Sequence, residues 1–353
     1  MTEDLPEPTA LPVQLSPSRA KDFKRCPQLY WFKTIHGCVT PPTVATIKGT
    51  MFHTVFERFF DLPAEQRTVD SALDLVAPAW DTMVTPARQR AEVASDSPEA
   101  AIRDAGGLWA ESFAEDAKRL ERAERRATEY AAFLELEEEA RLASTGSAVD
   151  LRALLIAETS AIVVNYFSAE VEDPVKLRTY TPAERELYLH AEVDGVPLHG
   201  FIDRLDHFER ADGGDVWYIS DYKTGRPHNP RYEDDAYFAM WVYALLLRAT
   251  RGIVADKVRL IYATAPGRTA GNQTKEVTDE RLSLASLELQ RLWEELTIAH
   301  AENRFEARRA RLCDWCYFQT RGCPAFGGDP ATAPTDWIDA AFAEAEVSDL
   351  PRS

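Results

Sequence analysis

The stretch RELYLHAEVDGVPLHGFIDRLDHFERADGGDVWYISDYKTG, residues 185–225, decides the reading of the fold. RELYLHAEV alternates apolar and polar residues, the signature of a half-buried strand. Asp194-Gly195 is a hairpin turn signal, because both residues tolerate the positive φ that a tight two-residue turn demands. VPLHGFIDRLDHFE is then the returning strand, Gly213-Gly214 a second turn, and DVWYISDYKT a third strand. Downstream, EDDAYFAMWVYALLLRAT reads as a helix, VRLIYATA as a strand, and LSLASLELQRLWEELTIAHAE as a long helix. A meander crossed by helices is an α/β fold with a mixed sheet.

Upstream, residues 16–36 open on a Ser-Pro cap signal and predict a short helix broken near Cys26-Pro27. Residues 47–61 read as an amphipathic helix. From about 62 to 180 the chain turns rich in Ala, Glu and Arg, and AEDAKRLERAERRATEYAAFLELEEEARLA is helical by propensity alone. The segment carries no catalytic signature and reads as a helical insertion, either padding the fold or clamping a DNA strand. Residues 1–15 read as a disordered leader and 327–353 as an acidic tail, leaving 16–326 as the working domain.

Asp221 and Lys223 stand two residues apart, so on a strand they project from one face, with roughly 6–7 Å between their α-carbons. Two hairpin turns bring Asp203, in Gly200-x2-Asp203, alongside them. Two carboxylates meeting there suit Mg2+ or Mn2+, hard ions that take oxygen ligands. Such an ion activates water and neutralises charge growing on a scissile phosphate. Lys223 would hold the water or a phosphate oxygen, either as a cation or, if burial lowers its pKa, as a base. An Asp-x-Lys surface salt bridge is the plainer alternative. His53 lies one helical turn after Gly49, which allows a close backbone approach, and it could complete a metal shell or orient the water.

Cys313-x2-Cys316-x6-Cys323 is a ligand pattern without a second Cys-x2-Cys unit or a following histidine. The fourth ligand must come from afar, from Cys26 or Cys38. Cys26 is favoured because its Arg-Cys-Pro context fixes a loop. Four thiolates suit a [4Fe–4S] cluster, with zinc the alternative. Either would pin the two ends of the chain together.

The composition, 45% hydrophobic and 28% charged, is that of a globular protein. No apolar run reaches the roughly 20 residues that span a bilayer, and the acidic, proline-rich start lacks the features of a signal peptide. A cytoplasmic location follows as the expectation, and there a Cys-x2-Cys pair more often means metal than disulfide. A net charge of −18 argues against non-specific coating of nucleic acid. Local basic groups remain at Lys21, Lys24, Arg25 and Lys33 and again at Arg304, Arg308, Arg309 and Arg311. These are solvated helix faces or a local DNA track.

The order Cys26, His53, Asp203, Asp221-x-Lys223, Cys313/Cys316/Cys323 resembles the RecB-like exonucleases of the PD-(D/E)XK superfamily. Within them it looks most like the iron–sulfur branch, which includes the AddB nuclease domain and the CRISPR-associated RecB-like exonucleases. The match runs from about Ser16 to Phe326, omitting the helical insertion. It implies a restriction-endonuclease-like core with a cluster lobe near 304–326, and metal-dependent cleavage of DNA, often single-stranded and from an end. It also implies that the Tyr222 main-chain carbonyl joins His53, Asp203 and Asp221 around the metal, and that Cys26, Cys313, Cys316 and Cys323 hold the cluster. Tyr243 matches the tyrosine of the family's Gln-x3-Tyr motif, but Ala239 stands where the glutamine is expected. Tyr243, Arg226, Lys24 and Arg25 are the candidate DNA contacts. A helicase or other recombination or repair subunit is the expected partner. Two other readings stand beside this one: a non-catalytic DNA-binding or scaffolding subunit of a helicase–nuclease complex, and a zinc-stabilised interaction domain.

Overall fold

A computed structural model describes residues 10–38, 40, 44–82, 151–170, 180–210 and 213–334. Most of the predicted insertion, including residues 114–143, and the acidic tail beyond residue 334 lie outside the described residues.

One five-stranded mixed sheet organises these residues. Its strands are β1 (Glu184–Val193), β2 (Val196–Glu209), β3 (Asp215–Lys223), β4 (Lys257–Tyr262) and β5 (Asn272–Glu276), in that spatial order. β1, β2 and β3 form the predicted antiparallel meander; β3 and β4 are parallel, and β4 and β5 antiparallel. The β1–β2 turn sits where the sequence places it, with φ of 49° at Asp194 and 82° at Gly195. β5, of sequence NQTKE, escapes a pattern-based reading because it is short, polar and lies at an edge.

Helices cover both faces. α1 (Pro17–Arg25) and α2 (Pro27–Tyr30) flank the predicted break at Cys26. α3 (Val44–Phe59), α4 (Val69–Asp74) and α5 (Leu151–Glu170) precede the sheet; α6 (Glu233–Arg251) crosses from β3 to β4, a short α7 (Arg268–Gly271) follows, and α8 (Asp279–Ala301) comes last. On one face Ile219, Val258 and Leu260 pack with Met240, Leu246 and Leu289 of α6 and α8. On the other, Tyr222 and Ile261 pack with Phe52 and Phe56 of α3 and with Val163 and Tyr166 of α5. Two readings change accordingly. α5, assigned to a helical insertion that pads the fold or clamps a DNA strand, is a core helix with Leu155, Val163 and Tyr166 fully buried. Leu15, assigned to a disordered leader, is fully buried and pairs with β2 through Pro197 and His199.

Beneath the α5 face lies a closed set of charges. Arg204 of β2 donates to Tyr166 and Tyr222 hydroxyls at 3.0 Å each and to Glu170 Oε1 at 2.9 Å. Asp206 lies against Arg204 and Arg259, and Ser220 donates to it at 2.9 Å. Burial alone would push the Asp206 carboxyl up, but the two guanidinium groups hold it below the usual carboxylate range. The set joins β2, β3, β4 and α5, and it fixes Tyr222 between Asp221 and Lys223. Removing one member leaves a buried charge without its partner. Arg204→Ala is therefore expected to lower unfolding stability by about 3–5 kcal/mol in urea titration.

Candidate metal and nuclease site

The site forms where the regular sheet fails. Counting from the β1–β2 turn places Glu186 opposite Asp203, yet the ladder pairs Arg185 with Arg204 and Leu187 with Ile202 and skips that position. Glu186 has φ 46°, a left-handed conformation that costs a non-glycine residue about 1–3 kcal/mol. Side chains change faces there. Leu187 and Ile202 turn to the α6 side, whereas Arg185 reaches Asp61 at 2.7 Å, just past α3, and Arg204 reaches α5. The flip leaves Glu186 and Asp203 at the boundary between the two helical layers.

β2 and β3 part at the same point. Their pairing ends at Arg204 and Ser220, so Tyr222 N–H has no strand partner, and the Asp203 carboxylate accepts it at 2.8 Å. The N–H and C=O of a strand residue point to the same side, so the Tyr222 carbonyl faces this fork too.

α3 delivers His53, whose Nδ1 lies 3.6 Å from Asp203 Oδ2 and 3.9 Å from Glu186 Oε1. His53, Glu186 and Asp203 offer ligand atoms within 4.8 Å of one another, the one such group of three among the described residues. Asp221, predicted to complete it, stands beside it with its carboxylate against the Lys223 ammonium. Glu186 was not singled out in the sequence, where it passes for an ordinary polar position in an alternating strand. Its signal was the register fixed by Asp194-Gly195.

Crowding of acids sets the protonation. Burial works against a charged His53, but Asp203, Glu186 and Asp221 outweigh it and raise its pKa to about 9. Burial, with Asp221 and Glu186 adding to it, carries Asp203 up to about 7 despite His53 and Lys223. Lys223 is also desolvated, yet Asp221 and then Asp203 hold its pKa above the ordinary lysine value. This favours the charged form of Lys223.

Gly200 permits the packing above the site. A Cβ there would lie 2.7 Å from Tyr243 Cε1, so only glycine lets the α6 tyrosine rest on β2. Gly49 is different: a Cβ would meet Thr224 Oγ1 at 3.4 Å, an ordinary contact, so the close approach expected of Gly49 does not require glycine. The Tyr243 hydroxyl stays neutral, held up by burial and by Asp221, Asp203 and Glu186. Of the other candidate DNA contacts, Lys24 pairs with Glu288 and Arg25 with Asp235 at 3.0 Å, both in half-exposed ion pairs. Arg226 is exposed and has no acidic partner among the described residues.

At the far end, Cys26, Cys313, Cys316 and Cys323 line one cavity with Leu29, Phe32 and Phe318. Backbone N–H groups point at two of the sulfurs, Arg308 at Cys26 (3.4 Å) and Ala310 at Cys313 (3.3 Å). No three of these sulfurs fall within 4.8 Å of one another. Cys38 packs instead with Phe32, Phe318 and Ala333, and burial lifts its thiol to about 11.

A divalent ion entering the His53–Glu186–Asp203 group must displace protons. At pH 7 His53 is protonated and Asp203 partly so, and binding is expected to release protons. Both protons leave unaided as the pH rises through 7 and then 9, so affinity for Mn2+ should increase over that window. Calorimetry in buffers of different ionisation heat reads both quantities. Affinity that is flat or falling with pH would contradict this protonation scheme.

The sequence profile of the PD-(D/E)XK nuclease superfamily matches residues 14–324. Comparison with curated proteins gives no match. Among solved structures, a protein from Eubacterium rectale provisionally named an exonuclease superposes with a TM-score of 0.45 at 12% identity, over 86% of each chain. No described helix is long and apolar enough to cross a membrane. With the profile spanning the sheet, the acidic fork and the cysteine lobe alike, the chain belongs to the PD-(D/E)XK nuclease superfamily.

Proposed function

We propose that this protein is a Mg2+- or Mn2+-dependent deoxyribonuclease of the RecB-like exonuclease type, acting on single-stranded DNA or DNA ends. The convergence of His53, Glu186 and Asp203 beside the Asp221–Lys223 pair carries the reading. The two carboxylates suit a hard divalent ion, which would take the place of the His53 proton among the crowded acids. His53, Glu186 and Asp203 would hold the ion, with the Tyr222 carbonyl facing the same fork and Asp221 able to turn from Lys223. When bound, the ion supplies an activated water and neutralises phosphate charge. Lys223, held as a cation, draws a phosphate oxygen or the attacking water towards Asp203. Tyr243 bounds the site on the α6 side, and Ala239 leaves substrate positioning there to other residues.

We further propose that the four cysteines hold a structural [4Fe–4S] cluster. The reading is supported by the shared cavity that all four thiols line and by the backbone amides directed at the Cys26 and Cys313 sulfurs. The setting proposed is cytoplasmic DNA repair or recombination, with a helicase as partner.

Labelled single-stranded DNA incubated with Mg2+ or Mn2+ tests the enzyme. Wild type should degrade it, and Asp221→Ala and Lys223→Ala should each lose about 100-fold or more in kcat. Glu186→Gln should raise the metal concentration needed for half-maximal rate. Equal degradation by all proteins, or by none, would remove the enzymatic reading. Anaerobically purified protein should be brown, with about four iron atoms per chain. Cys323→Ser should lower soluble yield and melting temperature while leaving kcat of the surviving fraction near wild type. A colourless, zinc-loaded protein would point to the interaction-domain alternative.

A further inference from the structure

Immediately after Lys223 the chain runs through Thr-Gly-Arg-Pro-His-Asn-Pro-Arg-Tyr, residues 224–232, before entering α6. This loop is fastened to the strand beside the site. Thr264 donates to the Gly225 carbonyl at 2.7 Å, and His228 Nδ1 lies 2.8 Å from the hydroxyl of Tyr262, the residue in register with Lys223. Pro227 and Pro230 restrict it further, and Asn229 caps the 3-10 turn Pro230–Tyr232 by accepting from Arg231 N–H at 3.0 Å. The loop is therefore preorganised.

Its exposed side chains form a set. Tyr232 is 60% exposed, in contrast to Tyr237 and Tyr262, which are buried. No aromatic ring lies against it among the described residues. Arg226 and Arg231 are exposed and have no acidic partner among the described residues. The nearby acids are engaged elsewhere: Glu233 by Lys275 at 2.7 Å, Asp234 by Arg281 at 3.8 Å, and Asp235 by Lys21 and Arg25. Each acid in the first turn of α6 thus has a basic neighbour other than Arg226 and Arg231.

We propose that residues 225–232 are a single-stranded DNA subsite, in which Tyr232 stacks an unpaired base and Arg226 and Arg231 take the flanking phosphates. The proposal rests on the nuclease reading for its choice of polymer. An exposed ring serves any unpaired base, whereas bases in a duplex already stack on one another. The arginines add a phosphate contribution that is screened by salt.

Fluorescence anisotropy in EDTA, where cleavage is blocked, tests the subsite with a labelled oligothymidylate, a matched abasic strand and a blunt duplex. Wild type should prefer the thymidylate strand over the abasic one, a readout that needs no variant. Tyr232→Ala should weaken thymidylate binding about 5- to 150-fold and abolish that preference, while Tyr232→Phe should bind as wild type. Arg226→Gln and Arg231→Gln should each reduce the slope of log K against log salt by about 0.7. Melting temperatures should be unchanged, because these side chains are exposed. The proposal falls if wild type does not bind the thymidylate strand, if it binds the abasic strand equally well, or if Tyr232→Ala loses as much on duplex. Cleavage with Mn2+ is scored separately. Active protein whose binding ignores these substitutions sinks the subsite alone, and inactive protein that shows the full binding pattern sinks only the nuclease reading.

Discussion

A carboxylate takes the place of a strand partner in this protein, and the site is arranged around that substitution. Where β2 and β3 separate, Asp203 accepts the N–H of Tyr222 that the ladder leaves free. A buried amide without a partner is costly, so the fork is stable only while an acceptor fills it. That acceptor is also the acid closest to His53. One side chain thus satisfies the backbone and anchors a cluster of like charges, and its pKa is raised first by burial and then by those charges. The Arg204 network on the reverse face holds Tyr222 through its hydroxyl while Asp203 holds it through its amide. The strand bearing Asp221 and Lys223 is fixed from both sides.

Much of this arrangement was legible in residues 185–225. The two turn signals set the meander, and the two-residue periodicity correctly put Asp221 and Lys223 on one face. What periodicity could not report was its own interruption. The left-handed residue at Glu186 reverses which side chains point where, and strict alternation would have sent Arg204 to the same face as Ile202. That is why Glu186 was passed over. α5 likewise fell within the stretch 62–180 taken for a helical insertion, because composition reports helix formation and not burial, and only tertiary packing puts Tyr166 against Tyr222. Charge was hardest to read. Lys24 and Arg25 beside a cysteine suggested a phosphate track, but their partners Glu288 and Asp235 come from distant parts of the sequence.

The cysteines show the reverse situation, in which packing sets apart two thiols that the sequence offered for one role. Cys26 and Cys38 were both available as the distant fourth thiol. The break between α1 and α2 turns Cys26 into the shared cavity, while Cys38 is consumed by an apolar contact with Phe32 and Phe318. The Arg-Cys-Pro context that favoured Cys26 works through that break, since proline ends one helix and begins the next.

The Phe32–Phe318 stack, with centroids 4.5 Å apart, has a consequence for biosynthesis. Ring contacts between residues so far apart in the chain form only after residue 318 has left the ribosome. Until then the segment around α2 lacks its apolar cover, whereas the β1–β3 meander closes through short turns. The thiol-bearing lobe therefore matures after the meander, and a nascent chain interrupted between the two would display the apolar side of α2 to the quality-control machinery of the cell.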